Sequence, residues 1–140
     1  MNKNVFKINY LAVVVATFAA FVAASVWYSP FLFGKEWMEL RGVNPAAMAD
    51  MKIPAGKMLG EFVRELVVAY VLARFVVLLG VVDWKGAVNL GVWVWIGFPA
   101  TLLLGSVIWD NVPWMLAAIH GGDWLMKILL MAVIPAVWRK

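Results

Sequence analysis

Two apolar stretches of this chain carry ionisable side chains that such stretches rarely hold. Glu61, Arg64, Glu65 and Arg74 stand in one, and His120, Asp123 and Lys127 in the other. Near the centre of a membrane helix an ionisable group costs at least ~2.5–3.5 kcal/mol on the insertion scale, so it needs a partner, water or a route to the headgroups. At 100° per residue, Glu61, Arg64 and Glu65 fall within an arc of about 100°, and His120, Asp123 and Lys127 within one of about 60°. Asp123 and Lys127 are also an i,i+4 pair with the acid nearer the N-terminus, the favourable order. Lys127 is expected to point inward and meet Asp123, with Glu65 as the other candidate partner. Carboxylates beside an ammonium can hold a proton or cation or line a polar pocket; a purely structural ion pair weighs equally. Glu61 and His120 can sit among headgroups, and Arg74, outside the arc, can snorkel.

Other chemistries lack their residues. The 140-residue chain has no Cys and one His, which excludes disulfides and thiolate nucleophiles and leaves no expected metal site. No nucleophile motif, phosphate loop or cofactor motif is present, and no cofactor is expected. Hydrophobic residues make up 65% and charged residues 14%, against about 25% charged in a soluble domain. With a mean hydropathy of +0.88, the chain is too apolar to hide its surface from water at this size. The lipid bilayer is the expected partner. The net charge of +4 reads as flanking Lys and Arg meeting anionic headgroups rather than as a nucleic-acid surface.

The elements that must position these groups are four apolar stretches, at about 8–28, 61–82, 87–109 and 114–138. Each is near the ~20 residues that span a bilayer. The first resembles a signal peptide in its flanking Lys3 and Lys7 and its small residues "VAAS", and is read as a retained span. Residues 30–60 form a long loop in which "NPAAMADMK" predicts a short helix capped by Asn44. The other links are short and favour antiparallel neighbours. The expected fold is an all-α membrane protein, a single domain built as a four-transmembrane-helix up-down-up-down bundle with a long, partly helical first loop. Its alternation puts Trp27, Tyr28, Glu61, Arg64, Glu65, Asp110, His120 and Asp123 at one end, with the first loop over them. Lys127 lies roughly 16 Å from the Trp138 end at 1.5 Å per residue.

Ala12, Ala16, Ala20 and Ala24 form a small-xxx-small stripe, as do Gly97, Thr101 and Gly105. Such stripes let helices approach closely. Packing within one subunit is expected, with a homo-dimer seam as the alternative. Pro99 and Pro135 should bend their helices. Seven Trp, at 27, 37, 84, 109, 114, 124 and 138, read as an interfacial belt. Trp93 and Trp95 lie deeper and are expected to fill the core. Trp37 should pack near Trp114 or Trp124 as the loop caps the polar end.

The runs "WYSPFLFGKEWM", "VVAYVLA", "WVWIGFPATLLL" and "LLMAVIPAVW", spread over all four stretches, resemble a family of small integral membrane proteins catalogued as domain of unknown function 1761. The resemblance implies four transmembrane helices and no established activity. It makes Trp27, Tyr28, Ser29, Pro30, Gly34 and Trp37 the signature, shaping the mouth of the polar end. The chain departs from the family pattern at Arg74, where a polar residue, often His, is usual, and at "HGGDW", in place of an Asn-Ala-Gly-Tyr-like stretch. The expected location is the cytoplasmic membrane of a prokaryote with both termini cytoplasmic. The expected function is small-solute or ion-coupled transport or binding at a polar, aromatic-lined cavity. A membrane enzyme acting on a lipid or isoprenoid-like ligand through acid/base carboxylates is one alternative, and an accessory subunit of a membrane complex is the other.

Overall fold

The computed structural model describes residues 7–50 and 52–138. Lys3, Arg139 and Lys140, and with them the expected siting of both termini, lie outside the described residues. Among those described there is no strand. The elements are α1 (Tyr10–Trp27), α2 (Gly34–Leu40), a 3-10 turn (Pro45–Asp50), α3 (Ala55–Leu78), α4 (Trp84–Trp95), a π-turn (Ile96–Ala100), α5 (Thr101–Trp109) and α6 (Trp114–Val137). Through the π-turn, Trp84–Trp109 is continuous. Among the described residues, that helix, α1 and α6 are the three long and apolar enough to cross a membrane. The fourth long helix, α3, matches α6 in length but carries Lys57, Glu61, Arg64, Glu65 and Arg74.

Local chemistry sets the helix ends. Asn9 caps α1, its Oδ1 accepting from the Ala12 N–H at 3.2 Å. Asp83 caps α4 through the Gly86 N–H at 2.9 Å, so the third long helix starts at Trp84 rather than at residue 87. The second apolar stretch reads to Val82, but its helix stops at Leu78. Gly80 takes a φ of +65°, the Val81 N–H bonds Val76 O and the Gly80 N–H bonds Val77 O. This is a Schellman stop, which a glycine makes without steric penalty. At its other end α3 starts at Ala55, where Pro54 O accepts from the N–H groups of Lys57 and Met58. The shift brings Arg74 within four residues of the helix end.

α6 is the hub, packing against α1, α3 and α4, while α1 also packs on α3. Asn9 Nδ2 donates to Trp138 O at 3.2 Å and Trp27 Nε1 to Ile119 O at 3.0 Å, so α1 and α6 run in opposite directions. Trp95 Nε1 donates to Gly121 O at 2.8 Å, and Gly91 faces Leu129 and Ile128, which sets Trp84–Trp109 antiparallel to α6 as well. The core joins Ala16 and Ala20 of α1, Ala69 and Leu72 of α3, and Ile128 and Met131 of α6. Small side chains on α1 bring the three helices close. Ala12, Ala16 and Ala20 are buried, so that stripe packs within the chain. The Gly97–Thr101–Gly105 stripe does not. Gly97 and Thr101 are exposed, and an added Cβ at Gly97 or Gly105 would meet nothing within 4 Å.

Two further expectations are corrected. Trp93 is 66% exposed and fills no core, whereas Trp95 is held by its hydrogen bond to α6. Pro99 does not simply bend its helix but sits in the π-turn, where Thr101 Oγ1 donates to Gly97 O and Phe98 O at 2.9 and 3.0 Å. Widened turns of this kind absorb a missing N–H. Pro135 lies within an unbroken α6.

Candidate functional site

Three ionisable residues, Glu65 of α3 and Asp123 and Lys127 of α6, meet inside the helix assembly. Lys127 Nζ lies 2.9 Å from Glu65 Oε1 and 2.9 Å from Asp123 Oδ2, bridging both carboxylates rather than choosing one. The three residues are 1%, 0% and 3% exposed. The i,i+4 spacing sets Asp123 one turn before Lys127 on α6, and Glu65 reaches them because its face of α3 also carries the buried Ala69, Leu72 and Val76. The ammonium also lies 4.0 Å from the centre of the Trp124 ring, a cation–π contact that is stronger when desolvated. Glu65 Oε2 and Asp123 Oδ1 are buried without a hydrogen-bond partner among the described residues.

A second layer leads from this cluster to the polar end. Tyr28, just past α1, places its hydroxyl 2.6 Å from His120 Nδ1 and 3.5 Å from Asp123 Oδ2, long for a hydrogen bond. A phenol can accept from one neighbour and donate to another, so Tyr28 can link the half-buried His120 to Asp123. The signature run builds this contact. Pro30 ends α1, the Phe33 N–H bonds Trp27 O, and the Gly34 N–H bonds Ser29 O. α2 then folds back over α6 with Met38 buried. Trp37 packs on Tyr28, ring centroids 5.2 Å apart, and its other face of contact is Arg41, 4.8 Å from the ring centre. The expected pairing with Trp114 or Trp124 is not the arrangement. Trp114 is exposed, and Trp124 sits within reach of Lys127 and of Arg64, whose Cζ is 5.3 Å from its ring centre.

Of the residues singled out in the sequence, Glu65, Asp123 and Lys127 form the buried centre, with Tyr28 and His120 beside it. Glu61 and Arg64 pair at 3.1 Å on the rim. Trp27 contributes a buttress, bonding α6 as described, and Asp110 is exposed at the end of α5 and does not join the cluster. Arg74 is about 180° around α3 from Glu65 at 100° per residue and exposed. Sequence reasoning assigned Trp124 to an interfacial belt and missed its place against Lys127. Its position between Asp123 and Lys127, ten residues into α6, was the available signal. It also missed the role of Gly122.

Gly122 lets the Trp27 indole approach, whereas at Gly121 an added Cβ would make only an ordinary contact with Trp95. A Cβ on Gly122 would lie 2.6 Å from Trp27 Cζ2, and one on Gly121 3.7 Å from Trp95 Cζ2. Gly122→Ala is therefore expected to displace the Trp27 ring, break its bond to Ile119 O and lower stability by about 1–3 kcal/mol, the usual range for overpacking. Thermal unfolding in detergent measures it. In a Trp27→Phe background the same substitution should lose much less, because the clashing ring is gone.

The molecule thus belongs to a class: a protein whose described residues are all-helical, with three helices apolar enough to cross a membrane and an ion cluster buried between α3 and α6. Residues 11–135 match the family described as "Protein of unknown function (DUF1761)", and the chain belongs to that family. No curated protein and no solved structure gave a match.

Proposed function

We propose that the chain is a four-span integral membrane protein, its helices alternating in direction, that binds or transports a small solute or ion in exchange with a proton held at the Glu65–Lys127–Asp123 cluster. The observation that supports this is the internal charge balance. Two buried carboxylates face one buried ammonium, and each carboxylate keeps one oxygen without a partner. Fully ionised, the cluster carries one uncompensated negative charge, which is costly in a low-dielectric interior. One bound proton cancels it and supplies an O–H donor. Tyr28 and His120 give that proton a route toward the polar end, and helix packing around α6 buries the rest of the cluster.

The apolar exterior supports the membrane placement, since Phe18, Val22, Leu102 and Leu104 all stand outward on a scale unusual for a soluble monomer. On α3, the outward charges Lys57, Glu61 and Arg64 gather in the first turns and suit a headgroup layer. The accessory-subunit alternative loses its motive because the deep charges find partners within one chain. The enzyme alternative, acid/base carboxylates acting on a lipid or isoprenoid-like ligand, would draw on the same carboxylates, and no further observation favours it.

Protein reconstituted in vesicles with an entrapped pH indicator tests this. An imposed proton gradient should produce uptake above that of protein-free vesicles. Asp123→Asn and Glu65→Gln should each abolish it while leaving the helical signal and elution volume unchanged. Wild-type uptake equal to that of empty vesicles, or full uptake in both variants, would remove the cluster from any proton pathway.

A further inference from the structure

α3 and the Trp84–Trp109 helix both lean on α6 but leave an apolar groove of about 500 Å³ between them. Its walls include Val68, Val71 and Phe75 of α3, Phe98 and Leu102 opposite, and Trp124 at the base. This volume lies in the range of ligand pockets, and the groove is separate from the polar cluster, which the Trp124 ring backs. In the membrane placement proposed above, on which this inference rests, the groove opens sideways to lipid.

From these features we infer that the groove holds one acyl chain of an anionic phospholipid, with the lipid phosphate on Arg64. The charge at its mouth selects that occupant. Arg64 lies one turn before Val67 and Val68, on the polar-end side of the groove, with its side chain 58% exposed and its guanidinium over the Trp124 ring. Glu61 engages Nη2, while a guanidinium offers five donors in a fork suited to phosphate. Lys57 is exposed and precedes Arg64 by seven residues, about 20° away around the helix at 100° per residue. Two cations against one carboxylate leave this rim positive. An aromatic ring at the step from apolar groove to charged rim matches the junction between acyl chain and headgroup.

The test uses full-length protein extracted from membranes, exchanged into phosphatidylglycerol or, separately, a diacylglycerol of the same chains, and observed by native mass spectrometry. Wild type should retain one phosphatidylglycerol and little diacylglycerol. Arg64→Gln should lower phosphatidylglycerol retention about tenfold. Val71→Trp, which fills the groove from an exposed position, should remove it, with the melting temperature of the delipidated protein unchanged in both variants. Retention untouched by Val71→Trp would place the lipid elsewhere and overturn the inference. A wild-type dimer that Val71→Trp converts to monomer would overturn it in favour of a second copy in the groove. Membrane-extracted protein that holds no phospholipid sinks the groove alone, whereas protein released from membranes by an alkaline wash without detergent sinks the membrane placement as well.

Discussion

Lys127→Met is expected to lower the stability of the detergent-solubilised protein by about 3–5 kcal/mol, the range for removing one partner of a buried ion pair. The ammonium touches both Glu65 and Asp123 at 2.9 Å, so its loss leaves two buried carboxylates facing each other with no counter-charge. Asp123→Asn should be far milder. It leaves Glu65 and Lys127 as a one-to-one pair and takes the cluster from one excess negative charge to none. The two substitutions therefore shift the cluster's charge in opposite directions and differ in size of effect. Combining Lys127→Met with Asp123→Asn and Glu65→Gln should recover much of the loss, because every remaining group is neutral and an apolar replacement of buried charges is often tolerated. Chemical unfolding of the single, double and triple variants gives the coupling directly. Equal losses for Lys127→Met and Asp123→Asn would refute the charge-balance account.

Gly34→Ala should also be strongly destabilising, against the propensity trend. Ala is the better helix former by roughly 0.8–1 kcal/mol, and Gly34 is the first residue of α2. Its missing Cβ, however, would run into the Tyr28 carbonyl oxygen and lie 2.7 Å from Ser29 O. Both obstacles are backbone and cannot rotate away, so the turn that seats Tyr28 against His120 must open. A net loss of about 1–3 kcal/mol is expected. Gly60→Ala is the control: it lies within α3 with nothing within 4 Å of the added Cβ and should gain about 0.5–1 kcal/mol. Thermal unfolding of both variants reads the two signs. A gain at Gly34 would mean that the Tyr28–Gly34 turn yields easily and does not fix the hydroxyl.

The sequence by itself determined the helical class, the long apolar elements and the unusual charges, because each rests on local composition and period. It also determined that Asp123 and Lys127 meet, since four residues is one turn and no other helix is needed. Local signals also set two boundaries that hydropathy alone does not: Gly80 followed by Val81 stops α3, and Asp83 starts α4. The tertiary structure alone decided the rest. That Glu65 joins the pair depends on the relative rotation and height of α3 and α6, which the small residues of the shared core set. That Trp37 meets Tyr28 and not Trp114 depends on how α2 folds back, which turns on backbone contact at Gly34. The outward face of Gly97 and Thr101 likewise could not be read from their spacing. A small-residue stripe permits close approach, but which helix arrives, or whether any does, is fixed by how each helix is rotated: Trp84–Trp109 packs on α6 through Gly91 and Trp95 and leaves Gly97 and Thr101 outward.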